Sequence, residues 1–201
     1  MSRQTQHSSG FRSPASSSVL AVILAAGAGS RFQGENHKLL ASFRGHTVIG
    51  EAVANALAAG FAEVVVVTGA VELGKVLPPA VTLVHNPAWQ QGQATSLQTA
   101  IAYAESKGYE AVVVGLGDQP FIQPETWKDL ASALGPIAVA TYDGLRRNPV
   151  KLHREVWGLL PREGDAGARV LIKARPDLVV EVPAFGAPVD IDTVEDLAEW
   201  T

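Results

Sequence analysis

The amino-acid sequence predicts a single α/β domain of three layers, in which a mostly parallel β-sheet lies between two layers of helices. Short runs of β-branched residues alternate along the chain with alanine-rich segments of helical length. These runs are apolar throughout, which is typical of strands that are covered on both faces. A length of 201 residues suits one domain with a substantial core. Together these observations predict a Rossmann-like arrangement.

The first half of the chain carries the most regular pattern. Strands are predicted at four β-branched runs, which are Val19–Leu24, Glu63–Val67, Val81–Val84 and Ala111–Val114. Two alanine-rich helices are predicted between them, at Thr47–Ala59 and Ala94–Lys107. Gly60 and Gly108 follow these helices directly, and glycine ends helices because it adopts the left-handed conformation without strain.

The second half is less regular. Helices are predicted in four segments, which are Pro124–Leu134, Arg154–Leu160, Asp165–Ala174 and Val194–Trp200. Three further segments are candidate strands, with room for an antiparallel one among them: Ile137–Ala140, Pro149–Leu152 and Leu178–Glu181. Residues 1–18 contain seven serines and few large apolar side chains, which predicts a flexible tail before one domain at residues 19–201.

Composition and charge exclude several classes of function. The net charge of −4 argues against sequence-independent binding of nucleic acid, which needs a basic surface. No apolar run reaches the length of about 18 residues that spans a membrane. The chain has no cysteine, which excludes disulfides, thiolate metal sites and cysteine nucleophiles. Its five histidines lie in no pattern that marks a catalytic triad or a metal cluster.

The stretch VLAVILAAGAGSRFQGENHK, residues 19–38, has two interpretations. Arginines precede an apolar segment and small residues follow it, as in a secretory signal peptide. Alternatively, a buried strand leads into a loop in which Gly27 and Gly29 allow backbone N–H groups to approach a phosphate. Arg31 and Lys38 would then supply cations for phosphate oxygens.

Two common phosphate-binding motifs do not fit this loop. A dinucleotide-binding fingerprint requires glycine at position 32, where this chain has Phe32. A P-loop counted from Gly29 requires lysine at position 35, where this chain has Glu35. From the residues alone, a phosphate loop and a glycine turn with incidental surface cations both stay open.

Carboxylates in the middle and at the end of the chain could complete such a site. Asp118, in GDQP, follows a predicted strand, and Mg²⁺ needs only one or two carboxylates beside substrate phosphates. Asp190 and Asp192, in PVDIDTVEDL, alternate along a predicted short strand and therefore face opposite sides. Helix capping explains Thr193 and Asp196 but not the two aspartates before them.

These motifs resemble a known family. LAAGAGSRF followed by a lysine resembles the signature of nucleotidyltransferases of the nucleotide-diphospho-sugar transferase fold, and it is most similar to molybdenum cofactor cytidylyltransferases and related guanylyltransferases. Five stretches match this family in order over most of Val19–Trp200. That order favours the phosphate loop over the signal peptide and implies a cytoplasmic protein.

The resemblance implies roles for individual residues. The expected catalytic group is Arg31, Lys38 and Asp118. The expected nucleotide contacts are Leu24, Ala25, Ala26, Gly27, Gly29, Arg31, Lys38, Gly92, Gln93 and Ser96. The expected Mg²⁺ ligands are Asp118 and one of two C-terminal aspartates, with Asp192 favoured over Asp190. The expected acceptor contacts are Asn148, which stands where the family commonly has histidine, Asp165 and Arg169. For Arg162 and Lys173, a solvated helix face is as good an explanation as contact with an anionic acceptor.

The reaction that the resemblance implies is Mg²⁺-dependent transfer of CMP from CTP to the terminal phosphate of molybdopterin, with release of pyrophosphate. Such a phosphate is already ionised near neutral pH, so no general base is required, in line with the histidine pattern. Alternatives are the use of GTP, another phosphorylated acceptor, or a non-catalytic chaperone that passes cofactor to a molybdoenzyme. A molybdoenzyme or its chaperone is a conceivable partner; nucleic acid and membrane are not expected partners.

Overall fold

The structure is a computed structural model that describes residues 18–34 and 36–200. Its strands are β1 (Val19–Ala25), β2 (Ser42–Phe43), β3 (His46–Thr47), β4 (Val64–Thr68), β5 (Val81–His85), β6 (Ala111–Leu116), β7 (Ile137–Tyr142), β8 (Leu145–His153) and β9 (Val179–Pro183). Its α-helices are α1 (Val48–Ala58), α2 (Gln93–Lys107), α3 (Pro124–Ser132), α4 (Arg169–Ala174) and α5 (Val194–Trp200). Short 3₁₀ helices cover Lys38–Leu40, Trp89–Gln91, Arg154–Leu159 and Pro176–Leu178. The tail predicted at residues 1–18 lies outside the described residues except for Ser18, and the domain boundary stays a prediction.

Seven strands form one sheet in the order β5-β4-β1-β6-β8-β7-β9. Four neighbouring strands of the sheet are mutually parallel, namely β5, β4, β1 and β6. β7 is parallel to β9. Only β8 runs antiparallel to its neighbours in this sheet. The predicted mostly parallel sheet, with an antiparallel strand in the second half, is therefore confirmed. β2 and β3 form a separate antiparallel pair.

The sheet is buried on both faces, which confirms the three predicted layers. Ile23 of β1 belongs to a core cluster with Ile49 of α1, on the side that α3 also covers. Its neighbour Val22 belongs to the opposite cluster, together with Leu97 of α2. All four residues are at most 2% exposed. Because successive side chains of a strand point to opposite faces, an unbroken apolar run serves both layers.

Helix boundaries follow the local signals closely, with one exception. The Thr47 side chain caps α1, and Gly108 ends α2 in the left-handed conformation with φ of 77°. The helix predicted at Asp165–Ala174 is wrong in its first turn, since α4 begins only at Arg169. Gly164 and Gly167 have φ of 91° and 49°, so the chain there forms turns in place of helix.

The connections place several loops at one edge of the sheet. β5, β4, β1 and β6 are parallel, so their carboxyl ends share that edge, where ligands of open α/β sheets bind. In the described part of the chain, no helix combines the length and the apolar character that crossing a membrane requires.

Candidate active site

A cleft of about 380 Å³ lies at the carboxyl ends of the parallel strands. Its walls are the loop after β1 and the loop before α2, and the end of β6 contributes to its lining. Every residue predicted to contact the nucleotide lines this cleft: Leu24, Ala25, Ala26, Gly27, Gly29, Arg31, Lys38, Gly92, Gln93 and Ser96. The cleft is therefore the place where the predicted cations and carboxylates meet.

Lys38 joins two carboxylates that are distant in sequence. Its Nζ lies 2.6 Å from Oδ2 of Asp118 and 2.8 Å from Oδ1 of Asp192. Arg31 reaches the other oxygen of Asp192 at 2.9 Å. The Lys38 side chain is only 12% exposed, whereas that of Arg31 is 75% exposed. The site thus has an enclosed lysine between two acids and an arginine on its open side.

The charges of this cluster balance and hold Lys38 protonated. Burial by itself lowers the pKa of Lys38, but the charges and hydrogen bonds of Asp118 and Asp192 outweigh it and raise the pKa above its ordinary value. Two cations face two carboxylates, so the cluster is close to neutral without a ligand. A polyphosphate that binds here must take over contacts that Lys38 makes with the protein.

The donor set fits a hard divalent cation. Asp118 Oδ1 is buried and has no hydrogen-bond partner among the described residues, and a buried carboxylate oxygen without a partner is a candidate metal ligand. Asp192 is the second carboxylate of this cluster, because it shares the contact with Lys38. No group of three or more possible ligand residues occurs within the described ranges, so phosphate oxygens and water would have to complete the coordination.

The two C-terminal aspartates face different spaces. Asp192 lines the cleft, whereas Asp190 accepts a hydrogen bond from Gln119 Nε2 at 2.8 Å and lines a neighbouring cavity. Ile191 between them is fully buried, and its N–H donates to the Asp118 carbonyl at 2.9 Å. The segment is not a strand as predicted, but the anchored Ile191 still directs its neighbours to opposite sides.

Asp190 lies close enough to the cluster to sense its charge. Burial of its carboxyl group, followed by the charge of Asp118, raises the pKa of Asp190 above its ordinary value. After Asp192 the chain enters α5 through reciprocal bonds: Thr193 Oγ1 accepts from the Asp196 N–H, and Asp196 Oδ2 accepts from the Thr193 N–H. The predicted capping role of these two residues is confirmed.

His37 shapes the glycine loop, although the sequence pattern gave it no role. Its Nε2 lies 3.0 Å from the Gly27 carbonyl, and its Nδ1 accepts the N–H of Leu39. Nε2 is therefore the donor, and burial lowers the pKa of His37, which favours this neutral form. Gly29 has φ of 61°, and a Cβ there would approach the His37 ring at 3.0 Å. The imidazole thus closes the loop directly before Lys38.

The other wall is built around Asn86, which is only 1% exposed. Its Nδ2 donates to the Thr95 and Ser96 hydroxyl oxygens at 2.9 and 3.0 Å, and its Oδ1 accepts from the Ala88 N–H. Ser96, predicted to touch the nucleotide, therefore also has a structural partner. The sequence shows an asparagine before a proline, followed by a hydroxyl-rich helix start, but the burial of Asn86 appears only in the structure.

Gly92 holds this wall against the loop that carries Asp165. Ala94 donates its N–H to the Gly164 carbonyl at 2.9 Å, and Gly164 donates to the Gln91 carbonyl at 3.1 Å. Gly92 has φ of 104°, and a Cβ there would approach the Gly164 carbonyl oxygen at 2.6 Å. Only glycine therefore allows the two loops to meet.

Gly92→Ala is expected to destabilise the protein by about 2 kcal/mol, because the substitution combines a strained backbone with a contact to rigid backbone atoms. It should also weaken nucleotide binding, since Gln93 and Trp89 flank the altered turn. Thermal unfolding and nucleotide titration measure the two effects. Gly158→Ala is the matched control, because a Cβ at Gly158 meets nothing within 4 Å. Equal stability of the two variants would contradict this account.

The predicted acceptor residues divide between two spaces. Asp165 lines the cleft. Asn148 and Arg169 line a neighbouring cavity of about 660 Å³, together with Asp190. A space of about 50 Å³ shares Gln93 with the cleft and Asn148 with the cavity. The structure therefore brings the predicted nucleotide and metal residues together but separates Asp165 from Asn148.

The family model described as MobA-like NTP transferase domain matches residues 21–179. Nicotine blue oxidoreductase from Paenarthrobacter nicotinovorans is 32% identical over 198 residues, which cover 89% of this chain and 94% of that protein.

Solved structures of similar proteins share the fold over nearly the whole chain. A nucleotidyl transferase from Methanothermobacter thermautotroptrophicus has a TM-score of 0.78 and 26% identity, and the match covers 90% of this chain and 94% of that one. The complex of Rv0371C with manganese from Mycobacterium tuberculosis has a TM-score of 0.74 and 27% identity, with coverage of 91% and 97%.

Proposed function

The chain belongs to the family of MobA-like NTP transferase domains and is a nucleotidyltransferase, and on this basis we propose that it transfers CMP from CTP to the phosphate of molybdopterin. The observation that carries the proposal is the cluster of Lys38, Asp118 and Asp192, with both ion pairs at 2.8 Å or less inside one cleft. A nucleoside triphosphate is the substrate class of the family. Within that class we propose CTP as the nucleotide, and we propose molybdopterin as the acceptor.

The reaction balances without a proton acceptor. An oxygen of the acceptor phosphate attacks the α-phosphorus of CTP, the bond from that phosphorus to the oxygen bridging to the β-phosphorus breaks, and pyrophosphate leaves. The attacking phosphate monoester is largely ionised at neutral pH, since its second pKa is about 6. Catalysis then consists of positioning and charge stabilisation, as is usual in phosphoryl-type transfer.

The chain's own cations serve the leaving group. Lys38 is pre-positioned and enclosed, so its charge acts through a medium of lower dielectric than water. Arg31, on the exposed side, offers a planar set of donors that suits the outer phosphates. Gly27 and Gly29 keep the loop backbone free of side chains that would block the polyphosphate.

Asp118 and Asp192 are the residues that would hold Mg²⁺. The chemistry supplied there when Mg²⁺ is bound is polarisation of phosphate oxygens and neutralisation of their charge. The manganese complex of the M. tuberculosis protein, which has a similar fold, supports a divalent cation as cofactor in this chain. Asp192 is preferred to Asp190 because it shares Lys38 with Asp118.

A nucleotide panel tests the proposal. Pyrophosphate release is measured with each of four nucleoside triphosphates, with and without Mg²⁺ and with and without molybdopterin. Release that requires CTP, Mg²⁺ and molybdopterin together is the expected result. Faster release with GTP would assign the guanylyl reaction in place of the cytidylyl one. Tight CTP binding without release under any condition would overturn the catalytic role and favour a cofactor chaperone for a molybdoenzyme in the cytoplasm.

A second candidate function comes from the name of one relative. The P. nicotinovorans protein is called an oxidoreductase and aligns with most of this chain. The loop after β1, however, has Phe32 where a dinucleotide-binding fingerprint requires glycine. We therefore expect neither NADH nor NADPH to bind or to be oxidised. Oxidation of either cofactor together with an absence of pyrophosphate release would favour the redox function.

A further inference from the structure

The cavity of about 660 Å³ beside the nucleotide cleft carries an excess of positive charge. Arg147, Arg169 and Lys173 all line it, and none of them has a carboxylate within ion-pair distance in residues 18–34 and 36–200. This concentration of unpaired cations stands out in a chain with a net charge of −4. Unpaired cations around one cavity indicate an anionic ligand.

The other charges of the cavity are already engaged. Arg146 forms an ion pair with Glu181 at 2.8 Å. Asp190 is the only carboxylate among the described residues that line the cavity, and it accepts the hydrogen bond from Gln119. Three cations without an ion-pair partner among the described residues therefore face one carboxylate, and a ligand with an anionic group at one point alone would leave some of these cations uncompensated.

Most of the remaining lining is apolar. Val139, Val150 and Ile172 are 2%, 5% and 8% exposed and come from β7, β8 and α4. An apolar lining beside cationic side chains suits a ligand with an apolar body and charged groups, because pockets of this kind bind the body by burial and the charged groups by specific polar contacts.

The three cations line different spaces. Arg169 also lines the small space that shares Gln93 with the nucleotide cleft. Arg147 and Lys173 line only the larger cavity. An acceptor phosphate near the nucleotide would therefore lie on the Arg169 side, and a second anionic group of the same molecule would lie toward Arg147 and Lys173.

We propose that this cavity selects an organic acceptor that carries a second anionic group away from its reacting phosphate, with Arg147 and Lys173 as the specificity-determining residues. The inference rests on the proposed function in identifying the ligand as the acceptor. The preference for two anionic groups belongs to the cavity itself. It can therefore be measured without nucleotide or turnover.

The test compares two probes of the same shape. 4-Carboxyphenyl phosphate has anionic groups at both ends of an aromatic ring, and 4-carbamoylphenyl phosphate replaces the carboxylate by a neutral amide. Calorimetric titration of the full chain, without nucleotide, should show binding of the carboxylate probe about tenfold tighter, because a hydrogen bond to a charged group is stronger than one to a neutral group. In the Arg147→Gln/Lys173→Gln variant this ratio should fall to about one.

A charge-matched variant controls for general electrostatics. Lys75→Gln/Arg162→Gln removes the same charge from two exposed residues that line neither the cleft nor the cavity, and it should keep the tenfold ratio. Equal affinity of the probes for the unmodified chain, a ratio that survives Arg147→Gln/Lys173→Gln, or binding of neither probe would each overturn the inference. Failure of CTP turnover in the nucleotide panel would instead remove the proposed reaction and leave this ratio unaffected.

Discussion

Asp118→Asn is expected to lower kcat by about a thousandfold while the protein stays folded. The substitution keeps the shape of the side chain but removes the charge that faces Lys38 at 2.6 Å. It also replaces the oxygen that is buried without a partner and is available to a metal ion. Lys38 retains its contact with Asp192, so the cluster does not lose all compensation. Steady-state pyrophosphate release and thermal unfolding measure the two quantities.

Asp190→Asn is the control for this experiment, because it removes a carboxylate two positions from Asp192 that faces the neighbouring cavity. Its effect on kcat should be much smaller than that of Asp118→Asn. Asp192→Asn should resemble Asp118→Asn. A folded Asp118→Asn variant with full activity would contradict the metal assignment. A larger loss for Asp190→Asn than for Asp192→Asn would exchange the roles of the two C-terminal aspartates.

Lys38→Met should produce two opposite effects. Turnover should be lost, because the enclosed cation on the leaving phosphates is gone. Affinity for Mn²⁺ in the absence of nucleotide should rise by about tenfold or more, because the ammonium group that neutralises Asp118 and Asp192 no longer competes with a divalent cation. Titration of the full chain with Mn²⁺, followed by electron paramagnetic resonance, measures free and bound metal directly.

Two variants separate this effect from a simple change of net charge. Arg31→Met removes a cation that is 75% exposed and whose one ion pair among the described residues is with Asp192, so its effect on Mn²⁺ affinity should be smaller. Lys173→Met removes a cation outside the cluster and should leave Mn²⁺ affinity unchanged. Unchanged or weaker Mn²⁺ binding by a folded Lys38→Met variant would show that the lysine does not occupy the metal position. Tighter Mn²⁺ binding by Lys38→Met would mean that, in the unmodified protein, the metal enters the site together with the nucleotide.

The fold was largely predictable because its signals are local. β1 and β6 are unbroken apolar runs, and a run that is apolar on both sides has few alternatives to a covered strand. Gly60 and Gly108 end helices at the positions predicted for them, each with positive φ. The helix predicted from Asp165 failed for a local reason as well, since Gly164 and Gly167 adopt turn conformations there.

The site was predictable in composition but not in its contacts. Lys38 and Asp192 lie 154 positions apart, and their contact depends on the buried Ile191, which fixes the C-terminal segment beside Asp118. Alternation along the chain separated Asp190 from Asp192, but only the tertiary structure shows which of them faces Lys38. The placement of Asp165 in the nucleotide cleft likewise depends on a contact between two distant loops that no local pattern reports.

The cationic cavity was not predictable for the same reason. Arg147 lies on β8 beside a register shift that displaces Asn148 from the regular pairing with β7, and Lys173 lies on α4. In the sequence, a lysine on a helix is explained equally well by a solvated face. Its position in a cavity with Arg147 and Arg169 becomes apparent only when the helix is packed against the sheet.

In the proposed site, cations from the start of the chain and carboxylates from its middle and end surround one polyphosphate. Crystals grown with Mn²⁺ and a non-hydrolysable CTP analogue test it through the anomalous signal of the metal. We expect one Mn²⁺ peak in contact with Asp118, Asp192 and phosphate oxygens, with Lys38 moved onto the phosphates. A peak remote from Asp118, or an analogue bound away from Lys38 and Arg31, would contradict the account.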